Sequence, residues 1–198
     1  AHGMDLSQPQ SYYDDLYNGE LDRYSQRPVE SHKDFYFRLM YLRLVRALDY
    51  LTTLPQWDGE RVLIHGSSQG GGQAGALAGI DSRVTAALLQ VPALTDIGGE
   101  LDNGRRGGWP KPYAAKADEA VYKDILPYYD VALLLSMTKA SLLVEGGLVD
   151  TTCPPSCVVA GYNNAASEDK TLVLFPYRPH GTQHVDARHQ DEYKEDVQ

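Results

Sequence analysis

The pentapeptide Gly66-Ser67-Ser68-Gln69-Gly70 places a serine between two glycines, each two positions away. This G-x-S-x-G spacing is typical of a nucleophilic serine on a sharp turn between a strand and a helix. Both glycines are expected to lack a Cβ because backbone segments approach each other there. The helix after the turn directs N–H groups at a developing oxyanion. We therefore predict that Ser68 attacks a carbonyl carbon and that the Gln69 N–H binds the oxyanion.

This segment has three other interpretations. Ser67 is a rival nucleophile, but the residues two positions from it are His65 and Gln69 rather than glycines. A phosphate-binding loop is disfavoured because no Gly-Lys-Ser or Gly-Lys-Thr follows the glycines. An ordinary glycine-rich turn between a strand and a helix stays open as the structural alternative.

A serine is a weak nucleophile until a base takes its proton, and the base needs a carboxylate to orient it. On sheets of this type the chain order is nucleophile, acid, histidine. Asp150 and His180 each follow a predicted strand, so they should lie at the same sheet edge as Ser68. For the acid, Glu145 comes one turn too early and Asp96 belongs to a separate excursion. The expected triad is therefore Ser68, Asp150 and His180.

The other histidines have less suitable positions. His184 and His189 lie in or near a predicted tail helix, so they are weaker candidates for the base. His65 lies inside a predicted strand and is interpreted as a hydrogen-bonded core residue, and His32 as a helix-start residue. The histidine spacing does not match a metal motif such as H-E-x-x-H. Neither a metal nor another cofactor is therefore expected.

Short apolar runs and helix-period segments alternate along the chain, and they must position these side chains. Strands are predicted at 61–65, 84–91, 140–144 and 171–175, and helices at 34–54, 69–80 and 156–166, with a polar tail helix from Val185. This order is that of an α/β fold with a mainly parallel sheet and flanking helices. Because parallel strands end at one edge, Ser68, Asp150 and His180, which each follow a predicted strand, are expected at the same edge of the sheet.

The predicted helix at 34–54 illustrates the reasoning. Its apolar stripe recurs at spacings of three and four residues: Phe35, Leu39, Leu42, Val45, Leu48 and Leu51. Capping is predicted between Ser31 and Asp34. Before it, residues 1–31 are expected to form a loop-rich arm, and residues 94–130 an excursion over the sheet rather than a core layer.

Composition limits the function classes. A chain of 198 residues is expected to form one domain, 1–198. Its net charge of −9 argues against nucleic acid or an anionic membrane as a partner, and no apolar run is long enough to span a membrane. Cys153 and Cys157 are too few for a disulfide scaffold and are expected to pack at a helix start.

Several separate stretches resemble one known family, that of acetyl xylan esterase and cephalosporin C deacetylase. They are 66–72 (GSSQGGG), 34–43 (DFYFRLMYLR) with 46–49 (RALD), 149–155 (VDTTCPP) and 175–180 (FPYRPH). The resemblance implies an α/β-hydrolase-type sheet and metal-free removal of acetyl groups from xylan-derived sugars through an acyl-enzyme. It also implies Ser68, Asp150 and His180 as the triad. A polymeric substrate favours a secreted or periplasmic location.

Two features depart from the family pattern. The family usually has glycine where this chain has Ser67. Members are also longer, and this chain begins where a strand ahead of the first helix should end, so we expect a fragment or a reduced variant. The missing part would carry the second oxyanion donor, in place of which His2-Gly3 could stand. The strand at 61–65 would become an exposed edge, which a second copy of the chain could cover.

Three functions follow from these observations. The first is a carbohydrate acetyl esterase, with Trp109 and Tyr113 stacking on the sugar of an acetylated carbohydrate substrate. The second is a broader carboxylesterase or a serine peptidase on the same sheet. The third is a carbohydrate-binding remnant with little turnover, which the missing front part motivates.

Overall fold

A parallel sheet forms the centre of the molecule. The computed structural model describes residues 4–27, 29–99, 101, 104, 106–111 and 119–181. Within these residues the strands are β1 Leu63–Ser67, β2 Ala86–Gln90, β3 Ser141–Gly147 and β4 Lys170–Phe175. They pair in the order β1-β2-β3-β4, and every pair is parallel. The four predicted strands and the parallel arrangement are therefore confirmed.

Helices lie along the sheet and at its ends. The α-helices in the described residues are α1 Gln10–Asn18, α2 Tyr36–Leu51, α3 Gln69–Ile80, α4 Glu119–Ile125, α5 Val131–Leu134 and α6 Pro155–Asn164. Short 3₁₀ turns occupy Tyr24–Gln26, Leu126–Tyr128 and Leu135–Met137. Helix α3 has the predicted bounds, α6 matches the helix predicted at 156–166, and the predicted tail helix from Val185 lies outside the described residues.

Alternating side chains divide the sheet into a covered and a more open face. Ala87 and Leu89 of β2 and Leu142 and Val144 of β3 are buried, as the period of two in a strand requires. Helix α3 packs against β1 and β2, α6 packs against β3 and β4, and α2 packs on α3. Residues 71–78 of α3 are all buried, because small Ala and Gly side chains allow the helix to lie close to the strands.

The prediction for the first long helix was partly wrong. Helix α2 is present, but Leu39, Leu42 and Leu51 are exposed. Its buried side chains are Phe37, Met40, Tyr41 and Leu48. Of the predicted stripe, Phe35 and Leu48 are buried, while the other buried positions of the helix are taken by larger aromatic and methionine side chains, which gain more from leaving water. The predicted cap is also wrong, since the Ser31 hydroxyl donates to the Asp34 carboxylate in the turn before the helix.

The arm and the excursion differ from expectation too. Residues 10–18 of the arm form α1, which buries none of its side chains; nine residues are too few to show a sustained apolar period. The described part of 94–130 contributes to the core, contrary to the prediction. Its fully or almost fully buried apolar and aromatic side chains include Leu94, Ile97, Tyr122, Ile125 and Leu126.

A buried aspartate ties the excursion to the helices after it. Asp130 accepts hydrogen bonds from the N–H groups of Asp96, Ile97 and Ala132, at 2.8, 2.8 and 2.9 Å. It thereby caps α5 and holds the start of the excursion beside it. Burial raises the pKa of Asp130 to about 6, while the three N–H donors favour the charged form.

Strand β1 is an edge of the sheet among the described residues. It pairs with β2 on one side, and Leu63 at its start is 72% exposed. The expected exposed edge is therefore present in this part of the chain. None of the described helices combines the length and the apolar character that a membrane crossing demands.

The two glycines that flank Ser68 are not equivalent, which predicts different effects of the same substitution. A Cβ on Gly66 would lie 2.1 Å from the Gly70 carbonyl oxygen, whereas a Cβ on Gly70 meets no described atom within 4 Å. We expect Gly66→Ala to lower the free energy of unfolding by about 1–3 kcal/mol or more. Gly70→Ala should change it by less than about 1 kcal/mol. Urea denaturation of both variants checks this, and equal losses would contradict it.

Candidate active site

Ser68 has a strained backbone that the neighbouring strand end holds in place. Its φ of 55° and ψ of −121° are rare for a residue with a side chain, at a cost of about 1–3 kcal/mol. The Ser68 N–H donates to the Gln90 carbonyl oxygen at 2.9 Å, and the Ser68 carbonyl accepts from the N–H groups of Ala93 and Gly72, each at 3.0 Å. The expected sharp turn between β1 and α3 is therefore present.

The structure brings the three predicted triad residues into one hydrogen-bonded chain. Ser68 Oγ lies 2.7 Å from His180 Nε2, and His180 Nδ1 lies 2.8 Å from Asp150 Oδ2. Ser68 follows β1, Asp150 follows β3 and His180 follows β4. The residues are far apart in sequence but meet where parallel strands end at the same edge.

Asp150 is fixed independently of the histidine. Its Oδ1 accepts from the N–H groups of Thr152 and Cys153 at 2.8 and 2.9 Å, and Asp150 is 3% exposed. Oδ2 is thereby aimed at His180. A carboxylate there keeps the proton on Nδ1, which leaves Nε2 as the acceptor for the serine hydroxyl proton. This arrangement can activate Ser68 as a nucleophile.

The start of α3 offers backbone donors beside Ser68. The first bond of the helix runs from the Gly72 N–H to the Ser68 carbonyl, so the N–H of Gln69 has no acceptor within the helix. The Gln69 side chain is held by neighbours: its Oε1 accepts from the Tyr24 hydroxyl, and its Nε2 lies 3.4 Å from Met40 Sδ. The Gln69 N–H, at the start of the helix beside Ser68, stays the predicted oxyanion donor.

Tyr24 was missed as a neighbour of the site. Its ring lies 4.7 Å from Tyr36 and 6.5 Å from Trp109, centre to centre, and Trp109 lies 5.8 Å from Phe37. The sequence contained 14 tyrosines, and nothing in their spacing distinguished this one. We call Tyr24, Tyr36, Phe37 and Trp109 the aromatic cluster.

Of the two predicted sugar-stacking residues, one can be located. Trp109 is partly buried within the aromatic cluster. Its backbone joins two loops, since its N–H donates to Thr152 in the loop of Asp150, and its carbonyl accepts from Leu94. Tyr113 lies outside the described residues. Trp109 therefore borders the loop of Asp150, which we call the acid loop, and it stays partly accessible.

The alternative acids do not contact His180. Glu145 is 3% exposed and pairs with Arg178, with Oε2 at 2.9 Å from Nη1. Asp96 lies in the loop after β2, where its Oδ2 is 4.0 Å from Cys157 Sγ. Ser67, the rival nucleophile, is exposed at the end of β1.

The remaining histidines give one correction. His65 is exposed rather than part of the core, because it lies on the open face of the edge strand, although its Nε2 is 2.9 Å from Gln90 Oε1. His32 precedes α2 and contacts Asp124 at 3.0 Å. His2, His184 and His189, and with them the His2-Gly3 alternative, lie outside the described residues.

Both cysteines are buried thiols at the start of α6, as predicted. Among the described residues, Asp150, Cys153 and His180 are the group whose possible metal-ligand atoms come within 4.8 Å of one another. Two of these side chains already bind each other. Burial, reinforced by the Asp150 charge, raises the pKa of the Cys153 thiol, which opposes the thiolate that a metal requires. The group fits an acid–base pair better than a metal site.

The family model and the curated relative that match this chain are both described as acetyl esterases. A model of the family described as acetyl xylan esterase (AXE1) matches residues 14–196. An acetyl esterase, Axe7A, of Xylanibacter ruminicola is 35% identical over 160 residues, which are 80% of this chain and 36% of that protein.

Solved structures are similar over the same part of the chain. An acetyl xylan esterase from Paenibacillus sp. R4 superimposes with a TM-score of 0.67 at 29% identity, over 84% of this chain and 54% of that one. Acetyl xylan esterase 1 from Thermoanaerobacterium sp. JW/SL YS485 gives a TM-score of 0.67 at 27% identity, over 83% and 54%. The chain has the predicted α/β-hydrolase fold, and it spans about half the length of these structures.

The bond between Asp150 and His180 predicts the effect of one isosteric change. In Asp150→Asn the amide oxygen can still accept from Thr152 and Cys153, so the NH₂ group faces His180 and donates to Nδ1. The imidazole proton then lies on Nε2, so Nε2 can no longer accept the proton of the Ser68 hydroxyl. We expect reaction of Ser68 with a fluorophosphonate to slow by about 10⁴-fold with an unchanged circular dichroism spectrum. An unchanged labelling rate would contradict this role of Asp150.

Proposed function

The chain belongs to the acetyl xylan esterase family, and from this premise we propose that it is a serine esterase that removes acetyl groups from xylan-derived or related sugars. The observation that carries the proposal is the hydrogen-bonded chain from Ser68 through His180 to Asp150. A hydroxyl, a neutral imidazole and a buried carboxylate in this order are what acyl transfer to serine needs.

In the proposed reaction Ser68 Oγ attacks the acetyl carbonyl carbon while His180 Nε2 takes the hydroxyl proton. The Gln69 N–H donates to the oxyanion of the tetrahedral intermediate. His180 then gives the proton to the departing sugar oxygen, which leaves an acetyl group on Ser68. Water then attacks the acetyl-serine while the same imidazole takes one of its protons. The bond from Ser68 Oγ to the acetyl carbon breaks, His180 returns the proton to Oγ, and acetic acid leaves and ionises to acetate. Every proton in this sequence moves through His180, so the proposed reaction needs no cofactor.

The sugar would lie beyond the acetyl group, towards the aromatic cluster. Trp109 borders the acid loop through its bond to Thr152, so its accessible part lies near the path of a bound sugar. Aromatic rings pack well against the C–H faces of sugar rings. We therefore include Trp109 in the proposed substrate site, with Tyr113 as a further candidate from the sequence.

The proposed partners are an acetylated carbohydrate and, at the β1 edge, a second copy of the chain. Unpaired backbone groups on an edge strand can pair with another chain, and Leu63 exposes 72% of its surface there. The net charge of −9 continues to argue against a polyanionic partner.

Two neighbouring serines allow a matched test of the proposed function. Ser68→Ala should reduce acetate release from acetylated xylo-oligosaccharide, and hydrolysis of 4-nitrophenyl acetate, by about 10³-fold or more. Ser67→Ala removes an exposed hydroxyl one residue away and should retain most of the activity. Acetate release that survives Ser68→Ala would overturn the assignment of the nucleophile.

The alternatives separate in the same assay. A wild-type rate that stays flat from acetyl to butyryl and longer esters would favour a broad carboxylesterase, and cleavage of a peptide substrate would favour a peptidase. Retention on acetylated xylan without release of acetate would favour a carbohydrate-binding remnant.

Trp109 generates a further prediction about the sugar. Trp109→Phe preserves an aromatic ring against Phe37 but removes part of the accessible surface. We expect KM for acetylated xylo-oligosaccharide to rise by about 2- to 10-fold, which is the range of one lost aromatic contact. KM for 4-nitrophenyl acetate, which has no sugar, should stay within about 2-fold. An equal rise for both substrates would show that Trp109 acts on the acyl site or the fold.

A further inference from the structure

A row of polar side chains runs across the sheet beside the triad, at the ends of the strands. Arg178 Nη1 lies 2.9 Å from Glu145 Oε2, and Gln90 Nε2 donates to the same oxygen at 2.9 Å. Gln90 Oε1 in turn lies 2.9 Å from His65 Nε2. We call His65, Gln90, Glu145 and Arg178 the polar row. It connects β1, β2 and β3 with the loop after β4.

The hydrogen bonds of the polar row have a defined direction. An ionised carboxylate only accepts, so the Gln90 NH₂ group must face Glu145, and its carbonyl oxygen must face His65. His65 Nε2 then carries a proton. His65 donates to Gln90, Gln90 donates to Glu145, and Arg178 also donates to Glu145.

The charged pair of the row is buried where β3, which carries Glu145, meets the loop that carries Arg178 and His180. Glu145 and Arg178 are 3% and 4% exposed. Among the described residues 176–181, Arg178 is the buried one, and His180 follows two positions later. The Arg178 backbone is also seated closely, because a Cβ on Gly147 would lie 2.1 Å from the Arg178 carbonyl oxygen. Arg178 therefore fixes where the loop of His180 lies against β3.

The same residues hold the nucleophile through their backbones. Gln90 is the register partner of Ser67 on one side and of Glu145 on the other. Its carbonyl accepts from the Ser68 N–H at 2.9 Å, and the Val91 N–H donates to the Glu145 carbonyl at 2.8 Å. The end of β2, whose Gln90 carbonyl binds the Ser68 N–H, is thus connected through the side chains of Gln90 and Glu145 to Arg178 in the loop of His180.

We propose that Glu145 is a positioning residue for the reaction: through Arg178 and Gln90 it sets the distance between Ser68 Oγ and His180 Nε2. The inference rests on the proposed function, since it assigns a role to the surroundings of that same site. Glu145 itself contacts neither Ser68 nor His180 in the described structure. Its effect is exerted through geometry, and misplacing a reacting pair by about 1 Å can cost about 10²-fold in rate.

A purely structural role makes a different prediction. Breaking a buried ion pair destabilises a protein whether or not the pair is near an active site. Lower stability alone would leave the folded molecules with the normal rate. The test must therefore measure the rate per folded molecule and compare it with a variant that is destabilised elsewhere.

Glu145→Gln is the central variant, because glutamine keeps the size and can still offer one oxygen to Gln90 and Arg178, but it leaves the buried Arg178 guanidinium without its counter-charge. Labelling of Ser68 by a fluorophosphonate should slow by about 10²-fold per folded molecule. For 4-nitrophenyl acetate the loss should fall on kcat, with KM within about 3-fold, since the acyl site is unchanged. Leu48→Ala, a core change in α2 away from the site, is the control. It should lower the melting temperature and label at the wild-type rate.

Two arginine variants keep the test decisive if Glu145→Gln does not fold. Arg178→Lys retains a positive charge for Glu145, whereas Arg178→Met retains the length without charge. We expect Arg178→Lys to label within about 10-fold of wild type, and Arg178→Met about 10²-fold more slowly. Partial rescue by the lysine supports positioning by the charge pair.

Each remaining outcome overturns a defined statement. If wild type labels at Ser68 and Glu145→Gln or Arg178→Met labels equally fast, the positioning role is wrong and the proposed function stands. If wild type neither labels nor releases acetate, the proposed function fails, and with it the role of Glu145.

Discussion

The hydrogen bond from the Ser68 N–H to the Gln90 carbonyl holds a strained residue at the end of an edge strand. Among the described residues β1 pairs with β2 alone, so the serine depends on this one neighbour and on the helix behind it. Gly66 and Gly70 touch backbone to backbone, which brings α3 over the end of β1. Hydrogen bonds to β2 and the loop after it, and the close packing of α3, therefore hold the strained turn of Ser68 beside the loops of Asp150 and His180.

Two pairs of an acidic and a basic side chain lie at these strand ends, Asp150 with His180 and Glu145 with Arg178. Their surroundings differ. Asp150 accepts two N–H groups of its own turn, so its position does not depend on His180. The imidazole, 27% exposed as a side chain, can bind and release a proton while the carboxylate stays in place. Glu145 and Arg178 are both buried, and each compensates the charge of the other. The pair with the partly exposed imidazole suits proton transfer, and the pair that is buried on both sides suits a fixed connection.

The parts that could be predicted from sequence are those with a local signal. Glycine spacing located the turn and α3, and Asp150 and His180 followed from their places after apolar runs. The predictions that were wrong depend on contacts between residues far apart in sequence. The buried side of α2 depends on partners such as Tyr129, far along the chain, whose carbonyl accepts from the Tyr41 hydroxyl. Burial of the excursion depends on Asp130. Neither contact leaves a period or a motif in the sequence.

Tyr24 shows how far this limit extends. Its hydroxyl reaches Gln69 across 45 residues of sequence, from an arm whose helix α1 buries nothing. The aromatic cluster attaches the arm instead, since Tyr24 packs on Tyr36 and approaches Trp109. Through Tyr24 the arm reaches Gln69, the residue next to Ser68, and Trp109 connects the same cluster to the loop of Asp150. Because Gln69 and Thr152 lie beside Ser68 and Asp150, the aromatic cluster links both ends of the triad. A segment without its own core can thus shape the surroundings of the candidate site.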